Sequence, residues 1–148
     1  MVSHEPPAAI ARISGGTAHP AICGTVRFYP RSGGTLVTAH IRGLPESETN
    51  FFAFHIHAGG DCGGEGFSDT GGHYDPCNVP HPCHAGDLPP ILACGGQAFL
   101  AVETGRFRVK DVIGKTAVIH SGPDDFHSQP AGNAGAKIAC GVIRSLCP

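Results

Sequence analysis

The sequence predicts an all-β fold of eight strands, closed or nearly closed into a barrel or sandwich, with two long functional loops. Three observations lead there. Short runs rich in β-branched and aromatic residues recur between turn signals. No helical period outlasts a single turn. The 22 glycines and 13 prolines among 148 residues follow no period, a surplus that belongs in turns and loops. The length suits one domain spanning residues 1–148, large enough to bury a core of its own.

In chain order, the strands are expected at 8–14, 24–29, 35–42, 51–57, 97–103, 107–109, 116–120 and 137–143. Pro-Arg-Ser-Gly-Gly at 30–34 makes a hairpin turn between the second and third. In the third strand Leu36 and Val37 break strict alternation, while Thr38, His40 and Arg42 line one face as polar residues. Two stretches are expected to be irregular, 58–94 and 121–136, and a connection as long as the first is normally functional or disordered. The chemistry is therefore expected in these two loops. No internal repeat or linker interrupts the chain, and a short tail follows Ile143, ending in Cys147 and Pro148.

Charge narrows the function classes. Only 15% of residues are charged and the net charge is −2, so there is neither a basic field for nucleic acid nor an acidic tail. No stretch is long and apolar enough to span a bilayer, and the first twenty residues lack a basic segment followed by an apolar one. The expectation is a soluble, cytoplasmic protein that binds neither nucleic acid nor membrane. Seven cysteines leave at least one thiol unpaired within the chain and are too few for a disulfide scaffold.

Histidine is the outlying count, ten against ten lysines plus arginines, and imidazole is the commonest protein metal ligand. His55 and His57 flank Ile56 on a predicted strand, so both rings project from one face about 7 Å apart. Alone, an H-x-H pair is weak evidence for a metal, since surface or core histidines are the commoner case. His73 follows two glycines in the long loop, and His81, His84 and Asp87 come after it. By themselves these could be an exposed loop stiffened by Pro76, Pro80, Pro82, Pro89 and Pro90. His120 ends the apolar run 116–119, where a strand tip brings it beside His55 and His57 if those two strands neighbour one another.

Six blocks then resemble one family in order and content. They are Phe-His-Ile-His at 54–57, Gly-Gly-His-Tyr-Asp-Pro at 71–76, His-Ala-Gly-Asp-Leu at 84–88, Gly-Lys-Thr-Ala-Val-Ile-His at 114–120, Asp-Asp at 124–125, and Gly-Asn-Ala-Gly-Ala-Lys-Ile-Ala-Cys-Gly-Val-Ile at 132–143. The chain is similar over about residues 24–143 to the copper/zinc superoxide dismutases, particularly the bacterial type. The resemblance implies a Greek-key β-barrel and an enzyme that disproportionates superoxide anion to oxygen and hydrogen peroxide at copper. It implies His55, His57, His73 and His120 as copper ligands, and His73, His81, His84 and Asp87 as zinc ligands, with His73 bridging the two metals. Asp124 resembles the carboxylate that links a copper histidine to a zinc histidine. Cys62 and Cys140 match a disulfide, and Lys137 stands at the position of the family's active-site arginine, so His73 and Lys137 are the residues expected to act in catalysis.

The sequence departs from the family in three places. Two residues separate His81 from His84 where the family has a much longer segment, which leaves three alternatives: the short loop closes around zinc, Cys77 or Cys83 intrudes as a ligand, or copper works alone. The first is favoured by the chemistry of three imidazoles and a carboxylate. The 125–132 loop is shortened too. Lys137 keeps the positive charge but loses the planar fork of arginine. Cys23, Cys77, Cys83, Cys94 and Cys147 have no counterpart, and each is expected to act as a small buried hydrophobe. The oligomer is left open, with a homodimer among the alternatives, and a non-catalytic copper-binding or copper-delivery module on the same barrel is the rival function.

Overall fold

The structure, a computed structural model, describes residues 5–146. Its strands are β1 (Ala9–Gly15), β2 (Cys23–Arg31), β3 (Gly34–Arg42), β4 (Phe51–His57), β5 (Asp87–Leu92), β6 (Ala98–Thr104), β7 (Thr116–His120) and β8 (Lys137–Ser145). They form one sheet in the order β5-β4-β7-β8-β1-β2-β3-β6, every pair antiparallel. The two edges, β5 and β6, lie against each other without a ladder, so the sheet is a nearly closed barrel. The β3–β4 and β6–β7 connections each pass over two strands of this closed order, which is Greek-key topology.

Alternation places the core. Ala9, Ala11 and Ile13 of β1 point inward, as do Val26 and Phe28 of β2, Val37, Ala39 and Ile41 of β3, and Phe52, Phe54 and Ile56 of β4. The two-residue turn Ser32–Gly33 closes the expected β2–β3 hairpin, pairing Arg31 with Gly34. The interrupted alternation of β3 follows from cover on both faces: Val37 is in the core, while Leu36 and Thr38 are buried on the other side. His40 and Arg42, farther along that outer face, are exposed.

Two expected elements are corrected. Residues 107–109 are not a strand: Arg108 is extended, but Val109–Val112 is a single helical turn, α1, opened by the Arg108 N–H donating to Asp111 Oδ2 at 2.8 Å. Phe107, Val109 and Val112 are all buried in the core cluster, and that apolar spacing imitates a short strand. The 58–94 stretch is also less irregular than expected, since it contains a 3-10 segment, Glu65–Thr70, and the whole of β5. Pro89 and Pro90 hid β5, because proline donates no ladder hydrogen bond and reads as loop. An edge strand tolerates it, and β5 has a ladder only to β4, irregular between Phe52 and Phe54.

Cys62 and Cys140 form a disulfide across 78 residues of sequence, with Cα atoms 5.8 Å apart, tying the loop after β4 to β8. Replacing both with serine is expected to lower the unfolding free energy by about 2–4 kcal/mol, read as a lower denaturant midpoint at unchanged slope. The other described cysteines do not fill the buried role. Cys77, Cys83 and Cys94 are exposed, and Cys23 is half-buried on the outer face, accepting from Arg42 Nε at 3.1 Å. Cys77 and Cys83 lie in the 58–86 loop and Cys94 in the turn before β6, where little packs over them. Cys147 lies outside the described residues.

Candidate metal centre

Because Phe52, Phe54 and Ile56 face the core, His55 and His57 project from the outer face of β4. They are nonetheless only 0% and 2% exposed, since the 58–86 loop folds back over them. Backbone bonds fix that return: Tyr74 N–H donates to Ile56 O at 2.8 Å, Ala58 N–H to Gly72 O at 2.9 Å, and His73 bridges to His57. Gly86, just before β5, runs alongside β4 and accepts from Ile56 N–H at 2.8 Å; a Cβ there would collide with the Ile56 carbonyl. The β4–β7 ladder sets Val118 opposite His55 and Thr116 opposite His57, and His120 follows on the same outer face. The expected neighbouring of these strands is therefore observed.

His55, His57, His73 and His120 come together so that one ligand atom from each lies within 4.8 Å of the others. The second nitrogen of three of these rings fixes the tautomer. Nδ1 of His57 donates to Gly71 O at 2.7 Å, and Nδ1 of His120 to Gly135 O at 3.2 Å, because a carbonyl can only accept. Nε2 of His55 donates to Asp124 Oδ2 at 2.8 Å. In the neutral rings the inward atoms are then bare lone pairs: His57 Nε2 and His120 Nε2 face each other at 3.2 Å with no proton to share, and His55 Nδ1 and His73 Nε2 are buried without a partner. Such a cluster is unfavourable unless a cation sits among the nitrogens.

A second cluster adjoins the first through His73. Its Nδ1 lies 2.8 Å from Asp87 Oδ1 and 3.2 Å from His84 Nδ1. Asp87 Oδ2 lies 3.0 Å from His81 Nδ1 and 3.2 Å from His84 Nδ1. His81 commits Nε2 to Asp124 Oδ1 at 2.8 Å, and its Nδ1 is buried beside the Asp87 carboxylate without a hydrogen bond. Donors around a tetrahedral zinc at ordinary bond lengths sit about 3.3 Å apart, close to these separations. His55 also lies within reach of this cluster, but its Nε2 is held by Asp124 and its Nδ1 faces the first, which leaves His84 as the better fourth member. Cys77 and Cys83, both exposed, belong to neither candidate group among the described residues.

Burial keeps His55, His57 and His120 of the first cluster neutral. It pushes His57 down to about 2 and His120 to about 4, in each case against a hydrogen bond to a backbone carbonyl. Burial and the neighbouring His73 push His55 down to about 3, against its bond to Asp124. Burial raises the two carboxyls but loses to their partners: the bond from His73 holds Asp87 low, and those from His55, His81 and the Phe126 N–H hold Asp124 low. Asp124 thus joins one histidine of each cluster, the arrangement the family resemblance implied. Gly132, at φ +71°, lets the chain pass close to that carboxylate, since a Cβ there would strike Asp124 Oδ1.

Lys137 pairs with His120 across the β7–β8 ladder and donates from Nζ to Thr70 Oγ1 at 2.7 Å and Gly71 O at 3.0 Å. Burial lowers its pKa. The Gly71 carbonyl therefore serves both Lys137 and His57. Sequence reasoning missed Gly71 and Gly135, since a backbone carbonyl acting as a tautomer anchor leaves no side-chain signature, and it missed Thr70, whose hydroxyl accepts from Lys137.

The family model of copper/zinc superoxide dismutase matches residues 22–143. The chain belongs to the copper/zinc superoxide dismutase family. Among curated members, it is 37% identical over 138 residues to Cu-Zn superoxide dismutase 2 of Aquifex aeolicus, covering 83% of this chain and 80% of that one. It is 34% identical to the Cu-Zn superoxide dismutase of Legionella pneumophila, with 84% and 80% covered. In structure it resembles the Cu/Zn superoxide dismutase of Brucella abortus, with a TM-score of 0.77 at 25% identity over 90% of this chain and 98% of the other. It is similar too to a double mutant of a SOD-like protein from Bacillus subtilis, with a TM-score of 0.78 at 25% identity over 92% and 97%. As a copper/zinc superoxide dismutase by family, the chain has His clusters suited to both metals and the Cys62–Cys140 disulfide.

Proposed function

We propose that this chain is a superoxide dismutase that holds copper with His55 Nδ1, His57 Nε2, His73 Nε2 and His120 Nε2, and zinc with His73, His81, His84 and Asp87. The observation that carries the reading is the pair of unprotonated nitrogens, His57 Nε2 and His120 Nε2, 3.2 Å apart in a buried site. Copper, when bound, supplies the one-electron oxidation and reduction that turns two superoxide anions into oxygen and hydrogen peroxide. Four imidazoles suit copper in both its oxidation states.

The chain's own residues do the rest. Gly71 O, Gly135 O and Asp124 orient three of the rings before any metal arrives, so little reorganisation is needed on binding. His73 has one nitrogen toward each cluster, and whenever its Nε2 is not holding metal it would be the atom placed to take a proton from solvent and pass it to the reduced oxygen. Lys137 adds a fixed positive charge at the rim, which draws an anion toward the histidines. The zinc set closes the short loop and leaves Cys77 and Cys83 outside it.

The test is superoxide decay after loading with copper, with and without zinc. Fast decay in copper-loaded protein supports the enzyme, whereas stoichiometric copper without turnover supports a copper-delivery module. Asp87→Ala is expected to raise the zinc Kd by at least about tenfold and leave copper bound. In zinc at 100 times the wild-type Kd, the variant also forfeits up to about 2.7 kcal/mol of ligand-derived stability, read as a lower Tm. A homodimer is proposed on the outer face where Phe51 and Leu92, paired across β4 and β5, are 40% and 54% exposed. Sedimentation of wild type against Leu92→Glu tests it, a monomeric wild type being the contrary result.

A further inference from the structure

His81 and His84 sit in one tight turn, His81-Pro82-Cys83-His84, with Cys83 N–H bonded to Pro80 O at 2.8 Å and Asp87 N–H to His84 O at 3.1 Å. So short a segment has few internal contacts to hold two rings on one point. Its backbone is instead gripped from two other parts of the chain. Gln129, in the 121–136 loop, uses a single amide for both backbone groups of His81: Oε1 accepts from the His81 N–H at 2.9 Å and Nε2 donates to the His81 carbonyl at 2.8 Å. Arg106, in the turn between β6 and α1, donates from Nη1 to Pro82 O at 2.7 Å and His84 O at 3.1 Å, with Asp87 O at 3.5 Å. The carbonyls of residues 81, 82 and 84 are thus all anchored by side chains remote in sequence.

Neither side chain hydrogen-bonds a candidate donor atom, and neither bonds any of the four histidines assigned to copper. We propose that Arg106 and Gln129 are positioning residues for the zinc site, clamping the 81–84 turn from opposite ends so that His81, His84 and Asp87 converge before zinc binds. This rests on the zinc assignment above. A charged guanidinium hydrogen-bonded to carbonyls is a strong anchor, and one that a neutral side chain cannot reproduce. The free shape of the turn, rather than its donor chemistry, is what each clamp restricts; groups that hydrogen-bond the ligating side chains themselves set the comparison scale, about 10–100-fold in metal affinity.

Zinc and copper dissociation constants, measured by chelator competition on full-length metal-free protein, test the proposal. Arg106→Gln and Gln129→Ala are each expected to raise the zinc Kd by about tenfold or more. Arg106→Lys, which keeps the charge and a donor, is expected to show a smaller rise than Arg106→Gln. The copper Kd of both Arg106 variants should stay within twofold of wild type. A rise in zinc Kd below threefold in both Arg106→Gln and Gln129→Ala overturns the proposal, even if the melting temperature of the metal-free protein falls. Should Arg106→Gln not fold, Arg106→Lys and Gln129→Ala are read against the same threefold line. His84→Ala keeps the two ideas apart: wild-type zinc affinity there defeats the zinc assignment itself, whereas lost affinity there with intact affinity in the clamp variants defeats only the clamps.

Discussion

Replacing His120 with alanine will lower superoxide turnover by about 100-fold or more while the barrel stays folded. Loss of a residue that merely supports a metal ligand costs about 10–100-fold, so loss of an assigned ligand should reach or exceed the top of that range. The fold has reason to survive. His120 is the last residue of β7, its backbone pairing with Lys137 of β8 is independent of the ring, and the inward-facing Ala117 and Ile119 are untouched. What is lost is the bond to Gly135 O, a carbonyl that water can serve once the ring is gone, at a cost of about 1 kcal/mol. Far-UV circular dichroism and a thermal melt should therefore stay near wild type, and the copper Kd should rise. Wild-type turnover in the variant contradicts the assignment.

Acid will destabilise the metal-free protein far more than the loaded one. Folding holds His55, His57 and His120 neutral, with pKa values of about 3, 2 and 4 against 6.5 in an open chain. The unfolded state thus binds more protons below pH 6.5, and stability falls as pH falls. The contribution of these rings is fully present above pH 6.5 and is lost progressively toward pH 4 and below. Each ring costs about 1–2 kcal/mol between pH 6.5 and pH 5, so three together approach the lower end of a common total stability of about 5–15 kcal/mol. With metal bound, protons must first displace it, which moves the acid transition lower. Denaturant titrations of metal-free protein at pH 7, 6 and 5 should show a falling midpoint, and a flat series contradicts the neutral, preformed cluster.

The contrast between β4 and β5 shows how much was legible in the sequence. Phe-Phe-Ala-Phe-His-Ile-His announces a strand by composition and places its two histidines on one face, both as observed. Asp-Leu-Pro-Pro-Ile-Leu announces a loop, and only its location at the sheet edge, which no local pattern encodes, makes a strand of it. The same division holds at the site. Histidine and aspartate donors are visible as residues, and family resemblance ordered them into two sets. Their anchors, Gly71 O and Gly135 O, are backbone atoms made available by turns, and Arg106 and Gln129 act on backbone too. Cys77, Cys83 and Cys94 went astray for a related reason: cysteine is buried on average, and its burial here is decided by loop paths.

The central claim is that positions far apart in the chain hold one copper ion. Anomalous diffraction at the copper edge, from crystals of copper- and zinc-loaded protein, tests it most directly. The account predicts a single copper peak within bonding distance of His55 Nδ1, His57 Nε2 and His120 Nε2, at the end of β7. Copper found elsewhere, or bound by fewer than those three rings, would contradict it.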